Sequence, residues 1–328
     1  MDVLVVGLGS MGKRRIRLMK RFSQIGKIVG IDSREDRRKE VQEKLDCEVC
    51  ESIDNALKLY PTIKAAFICT SPLSHSSLIN FVLQHNLHVF TEINLVADGY
   101  EENIKLAKKK KRVLFLSSTF YYREEIKYIR ENVQDKNKLN YIYHIGQYLP
   151  DWHPWENFND YFIGDKRTNG CRELMAIEFP WIVGTFGDVQ KINVLSDKIT
   201  NLNISYNDNY MIQLQHENGN KGTLIIDVVS PKAVRNLEIY GDGVYYSWNG
   251  TPDTLEEFDV IDKKIKNVKL NELSEHIDGY SSFVIENAYQ NEIKAFLDVI
   301  FEGKYPCYNF EDDLRVLSLI DRIEAIHE

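Results

Sequence analysis

Two stretches of this sequence carry residue types and spacings that could do chemistry. The first is Gly7-Leu8-Gly9-Ser10-Met11-Gly12, followed by an acid, Asp32, twenty residues beyond the last glycine. Glycines at this spacing suit a pyrophosphate. Gly7 allows a tight turn, Gly9 lets the backbone come close to the phosphates, and Gly12 lets the next helix sit against the strand. A helix opening at Ser10 and Met11 would offer its N–H groups and a partial positive charge to the anion. Asp32, with Ser33 and Arg34 just after it, would accept hydrogen bonds from the adenosine ribose hydroxyls. The second stretch is Asp151-Trp152-His153-Pro154-Trp155-Glu156. Two indoles, an imidazole and two acids suit a sugar, whose C–H faces stack on Trp152 and Trp155 while its hydroxyls need polar partners. The alternative for this stretch is an aromatic staple or a subunit contact.

Elements must position these groups. Residues 3–6 are a short apolar run that reads as a buried parallel strand. Residues 13–22 place Ile16, Leu18, Met19 and Phe22 at helical spacing, and a second apolar run, 27–31, ends at Asp32. The alternation continues with helix 34–45, strand 47–50, helix 53–59, strand 65–69, helix 74–85, strand 88–91, helix 101–111 and strand 113–117. Six short strands separated by helices predict an α/β Rossmann fold, a doubly wound parallel sheet, over residues 1–119. Its ligands belong beyond the carboxyl ends of the strands. That places Gly9, Asp32, Thr70, Ser71, Pro72 and Glu92 along one crevice.

From about residue 120 the pattern changes. Helix 121–133 is followed by alternating runs at 141–149, 189–194, 210–216, 222–229, 234–240 and 244–248. Asn218-Gly219-Asn220 is a hairpin signal between two of them. Helices are expected near 156–162, 171–186, 283–301 and 311–326. Residues 120–328 thus read as a C-terminal α+β domain with a mostly antiparallel sheet. Tyr121 and Tyr122 fall at the domain junction, where a phenol could donate a proton or simply pack.

A chain of 328 residues with 43% hydrophobic and 27% charged residues has ordinary globular composition. Its net charge of −8 argues against a nucleic-acid footprint. The basic run 108–112 closes a predicted helix, where cations favour the dipole's negative end. Cys47 and Cys50 form a CxxC with no second pair and no nearby histidine, so no metal site is expected. No run approaches eighteen apolar residues, and the first strand begins at Asp2, so the reading is a cytoplasmic protein without a membrane span.

Across its length the chain resembles the glucose–fructose oxidoreductase / inositol dehydrogenase (Gfo/Idh/MocA) family. The landmarks are GLGSMG with Asp32, CTSPLSH at 69–75, TEINLV at 91–96, GQYLPDWHPWE at 146–156, RNLEIYGDGV at 235–244 and YQNEIKAFLDVIFEG at 289–303. The resemblance implies an NAD- or NADP-dependent oxidoreductase acting on a sugar or sugar derivative. Residues 146–156 look most like members from modified-sugar and surface-polysaccharide pathways. The resemblance also sets Thr70, Ser71, Pro72 and His75 beside the cofactor, with Glu92 and Asn94 in what remains of an E-K-P motif. Asp32 favours NAD over NADP, because it would repel a 2′-phosphate.

The departures are chemical. The family's lysine falls on Ile93, and its helix histidine on Ile177. Neither side chain can move a proton, although hydride transfer at a carbinol needs a group that does. Substitutes lie nearby: Glu173, one helical turn before Ile177, His153, and Glu178. Their alternative is a solvated or ion-paired helix face. Pro180 is expected to kink this helix or divide it. Two functions follow, a sugar oxidoreductase with rearranged proton transfer, or a dinucleotide-binding sensor or assembly partner that has lost hydride chemistry. The helices of the second domain suffice for one face of its sheet, and family members close the other against a partner, so a homodimer or homotetramer is expected.

Overall fold

A computed structural model describes residues 1–134, 136, 138–154, 156–270 and 283–326. The chain forms two compact units, Met1–Thr119 with Tyr289–Leu314, and Phe120–Ala288 with Arg315–Glu328.

The first unit is a six-stranded parallel sheet of β1 (Asp2–Val6), β2 (Ile28–Ile31), β3 (Glu48–Cys50), β4 (Ile63–Ile68), β5 (His88–Thr91) and β6 (Leu114–Leu116). Its order is β3-β2-β1-β4-β5-β6, so the winding reverses between β1 and β4. Helices α1 (Ser10–Met19), α2 (Glu35–Leu45), α3 (Ile53–Leu59), α4 (Pro72–Gln84) and α5 (Tyr100–Lys110) make the crossovers. The strands read as continuous apolar runs because both faces are covered; all of Val3 to Val6 are buried.

One element of the first unit comes from the far end of the chain, which corrects the assignment of everything after residue 120 to the second domain. Helix α8 (Glu286–Glu302) drives Phe296 against Phe67, Phe90 and Phe115, with centroids 5.2, 5.6 and 5.6 Å away. Local periodicity marks the helix but cannot say which sheet supplies its aromatic partners.

A buried ion cluster ties α1 to the same helix. Arg15, fully buried, donates from Nε and Nη2 to Glu92 at 2.6 and 3.0 Å, and from Nη2 to Glu292 at 2.6 Å. Its guanidinium also lies 4.5 Å from the centre of the Phe90 ring. Burial pushes the Glu292 carboxyl up, and Arg15 opposes that shift.

The second unit is built on an eight-stranded sheet in the order β14-β13-β12-β11-β7-β10-β9-β8. These are β7 (Asn140–Gly146), β8 (Val189–Asp197), β9 (Asn209–His216), β10 (Lys221–Asp227), β11 (Val234–Gly241), β12 (Val244–Trp248), β13 (Glu256–Asp259) and β14 (Lys264–Asn267). It is antiparallel except where β7 and β10 run side by side in parallel. The last two strands escape sequence reading because EEFD and KIKN show no apolar alternation. Strand register puts Val194, Ile212, Leu224, Tyr143, Leu237 and Trp248 in one buried row. The opposite face carries Leu195, Met211, Ile225, His144 and Asn236, of which Leu195 is 58% and Met211 49% exposed.

Helix α7 (Gly170–Phe186) packs against β9 and β10. It runs unbroken through Pro180, against expectation. A proline there removes one backbone bond, but Phe179, Trp181, Ile182 and Phe186 are all fully buried and hold both halves in line. Two other helices are also corrected. A 3-10 turn (Thr119–Tyr122) precedes α6 (Glu124–Val133), and residues 156–162 form no α-helix but lead into 3-10 turns at Phe158–Asp160, Phe162–Gly164 and Lys166–Thr168. The final helix is α9 (Phe310–Glu324).

Replacing Arg15 by Met leaves two carboxylates buried without their cation, a class of change that costs about 3–5 kcal/mol. Urea unfolding of Arg15→Met should show a loss of that order. A loss below about 1 kcal/mol would mean that the cluster contributes little.

Candidate functional site

In the first unit the three glycines have different duties. Gly7 has φ +92°, and a Cβ there would lie 2.6 Å from the Cys69 carbonyl oxygen. A Cβ on Gly12 would lie 1.9 Å from the Gly7 oxygen. Both are dictated by the protein's own packing. A Cβ on Gly9 would meet only the Arg37 guanidinium, at 3.8 Å, so the space over Gly9 is reserved for something other than the chain. Ser10 and Met11 form the first turn of α1, which Gly9 caps with no side-chain bond and which holds no acid. That is the arrangement a pyrophosphate requires.

Asp32 closes the other side. Its Oδ2 accepts from the Leu8 amide and its Oδ1 from the Arg34 amide, both at 2.9 Å. A carboxylate has about four acceptor positions, so capacity remains for ribose hydroxyls. Arg38 donates to the carbonyls of Asp32 and Ser33 at 2.7 and 2.9 Å, and Arg34 donates from Nε to Asp36 at 3.1 Å. Arg37 comes within 3.5 Å of Asp32 Oδ2. These residues fit a dinucleotide.

The second wall follows β4. Ser71 caps α4, which starts at Pro72, and Thr70 Oγ1 bonds to Ser74 Oγ at 2.7 Å. His75 is 1% exposed, with Nε2 2.9 Å from the Thr70 carbonyl oxygen and Nδ1 2.7 Å from the Asn94 side chain. Burial lowers its pKa. It braces the Thr70 turn against Asn94. Glu92 is likewise occupied: both oxygens carry Arg15.

In the second unit the candidates separate sharply. Glu178 is fully buried and accepts from Tyr143 Oη at 2.9 Å, Trp181 Nε1 at 2.7 Å, and Arg235 Nε and Nη2 at 2.8 and 2.7 Å. No face is left for a substrate, so the catalytic assignment of Glu178 is withdrawn. Tyr121 and Tyr122 are buried packing residues, and Tyr121 donates to the Pro180 carbonyl at 2.8 Å. His153 pairs with Glu156 at 2.7 Å and stacks on Tyr161 at 4.8 Å. The Trp152 indole donates to the Gln147 carbonyl at 3.1 Å. Its ring reaches within 3.6 Å of the Cβ position of Gly170. Trp155 lies outside the described residues.

Glu173 differs from all of these. It sits in the first turn of α7, whose start is fixed by the Asn169 side chain accepting from the Arg172 amide at 2.8 Å, and by Arg172 pairing with Asp321 and Glu324. Its half-buried carboxyl makes no hydrogen bond among the described residues, and burial pushes its pKa up to about 7. Two phenols that sequence reasoning missed, Tyr161 and Tyr206, have buried hydroxyls; that of Tyr161 has no hydrogen-bond partner among the described residues, and that of Tyr206 meets the Gly170 backbone. Burial raises both, and the Glu173 charge adds to the shift. Tyr161 could have been noticed as a continuation of the aromatic run after His153. Tyr206 gives no local signal.

A parallel sheet with a glycine turn after its first strand, an acid after its second and a reversal of winding beside the turn defines a dinucleotide-binding domain. Residues 1–118 match the model of the oxidoreductase family with an NAD-binding Rossmann fold, Gfo/Idh/MocA. Over 137 residues the chain is 28% identical to the myo-inositol 2-dehydrogenase of Thermotoga maritima, a match spanning 41% of this chain and 41% of that relative. Two solved structures share the fold over nearly the whole length. Biliverdin reductase from Synechocystis, in complex with biliverdin and NADP+, has a TM-score of 0.77 at 18% identity, covering 98% of this chain and 97% of its own. UDP-N-acetylglucosamine 3-dehydrogenase from Acidithiobacillus ferrooxidans has a TM-score of 0.76 at 17% identity, covering 99% and 96%. At these identities the likeness is one of fold.

The glycine geometry generates a test. Gly9→Ala should leave the thermal midpoint unchanged while weakening NADH binding at least tenfold, about 1.4 kcal/mol, because the added methyl occupies only the ligand's space. The wild type should bind NADH more tightly than NADPH by calorimetry. Unchanged NADH affinity in Gly9→Ala, or tighter binding of NADPH by the wild type, would contradict this reading.

Proposed function

We propose that the protein is an NAD(H)-dependent oxidoreductase acting on a neutral sugar or sugar derivative, with Glu173 as the group that moves the hydroxyl proton. The first unit supplies the dinucleotide site. When bound, the nicotinamide supplies the hydride acceptor or donor. The chain itself must manage the proton, and the half-buried Ile93 and Ile177 cannot.

The observation that carries the reading is the Glu173 carboxyl, which makes no hydrogen bond among the described residues and which burial pushes up to about 7. A group that is half ionised near neutral pH can both accept and return a proton, which is where general acid–base catalysis works best. In the oxidation direction the ionised form takes the proton. The unmet hydroxyl of Tyr161 would be satisfied by a hydroxyl of a bound sugar, and the Trp152 indole offers a surface for its C–H face. Two relatives named above, an inositol dehydrogenase and an amino-sugar dehydrogenase, support this substrate class. The pair Ile93 and Ile177 favours a second reading, a dinucleotide-binding sensor or assembly partner without hydride transfer.

Glu173→Gln should keep NADH affinity while turnover falls about 10²–10⁴-fold, and the rise of wild-type oxidation rate with pH through about 7 should vanish. The linkage has a definite sign. The folded-state pKa is raised from 4.5 to about 7, so the contribution of Glu173 to stability is present below 4.5 and is lost as pH rises through 7. The melting temperature of Glu173→Gln should therefore gain on that of the wild type over this interval. Full turnover in Glu173→Gln would remove the assignment. A wild type that binds NADH but turns over no sugar in a broad panel would establish the second reading instead.

The exposed row from Leu195 to Asn236 is proposed as the face that a second copy covers, giving a homodimer or homotetramer. Light scattering should give at least twice 38.3 kDa, and Met211→Asp should shift the protein toward the monomer. A monomer mass for the wild type at micromolar concentration would refute this.

A further inference from the structure

We infer that the first unit carries a second small-molecule site, for a monocarboxylate with an apolar body, at the amino-terminal edge of its parallel sheet. A cavity of about 540 Å³ opens there, a size typical of sites for small organic ligands. Ile63 at the start of β4, Leu87 just before β5 and Ile300 near the end of α8 make its apolar wall. Phe301, 55% exposed, stands beside them. The six residues of β4 put roughly 20 Å between this edge and the Thr70 turn, so the cavity is separate from the dinucleotide crevice.

The charged side chains around it are of one sign. Lys64 and Arg112 line the cavity, and among its described lining residues none is a carboxylate. That is unexpected in a chain of net charge −8. The Arg112 guanidinium is held in place by donating from Nε to the Asn86 carbonyl at 2.7 Å and from Nη1 to the Lys111 carbonyl at 3.3 Å, which leaves Nη2 for another acceptor. His88 accepts from the Val113 amide at Nδ1, at 3.0 Å, so its proton lies on Nε2 and that nitrogen is a donor. Burial, aided by Arg112, lowers its pKa to about 4, which keeps the ring neutral at physiological pH. The site thus offers one free guanidinium nitrogen, an ammonium and a neutral N–H donor beside an apolar wall. A carboxylate satisfies the donors, and its hydrocarbon body covers the wall and Phe301.

The test is calorimetric titration of the full-length protein at pH 7.5 with hexanoate, and with hexanol and inorganic phosphate as comparators. Hexanoate should saturate one site per chain, and hexanol and phosphate should each bind at least tenfold more weakly. Arg112→Gln should lower hexanoate affinity about 10- to 100-fold, and Phe301→Ala should lower it by a smaller factor, with thermal midpoints near that of the wild type showing that both variants fold. The inference is overturned if hexanoate shows no saturation below about 10 mM, if hexanol matches it, or if Arg112→Gln binds it unchanged. Phosphate binding as tightly as hexanoate would also overturn it, because the apolar wall would then have no role. Each outcome is independent of NADH binding and of turnover.

Discussion

A guanidinium sealed from water must be neutralised by the groups that touch it, and Arg15 imposes that requirement on the whole first unit. The residue lies on α1, the helix whose amino end would receive the phosphates of a dinucleotide. Its carboxylate partners are Glu92, after β5, and Glu292, on α8. One cation therefore sets the position of the phosphate helix, the end of a central strand and a helix drawn from the far end of the chain. The same cluster explains why Glu92 serves structure here. With Glu92 committed to Arg15 and an isoleucine beside it, the end of β5 has no titratable group to offer a substrate.

The second unit shows how burial alone does not decide a carboxylate's chemistry. Glu173 and Glu178 lie on one helix, five residues and about 140° apart. Glu178 is wrapped by donors from Tyr143, Trp181 and Arg235, which pin α7 to the sheet. Glu173 finds no donor among the described residues, and burial raises its pKa to about 7.

Much of this was legible in the sequence because it is local. The glycine turn, Asp32, the alternation of strands and helices and the antiparallel runs of the second unit all lie in contiguous patterns. Glu173 was reachable as well, by its position one turn before Ile177. The failures share another cause, since each depends on what meets a residue from elsewhere in the chain. Phe296 takes α8 back to the first sheet, the buried aromatics around Pro180 keep α7 whole, and three distant donors remove Glu178 from the candidates. That Asn94 holds His75 is equally invisible locally, since the two lie nineteen residues apart.

On the proposed function, the desolvated Glu173 carboxyl on α7 manages the proton that Ile93 and Ile177 cannot. The most direct measurement is a pH titration of protein carrying carbon-13 at the glutamate carboxyls, followed by NMR, with the Glu173 resonance assigned by its loss in Glu173→Gln. The account predicts a midpoint at about 7. A midpoint in the ordinary glutamate range, near 4.3, would contradict it.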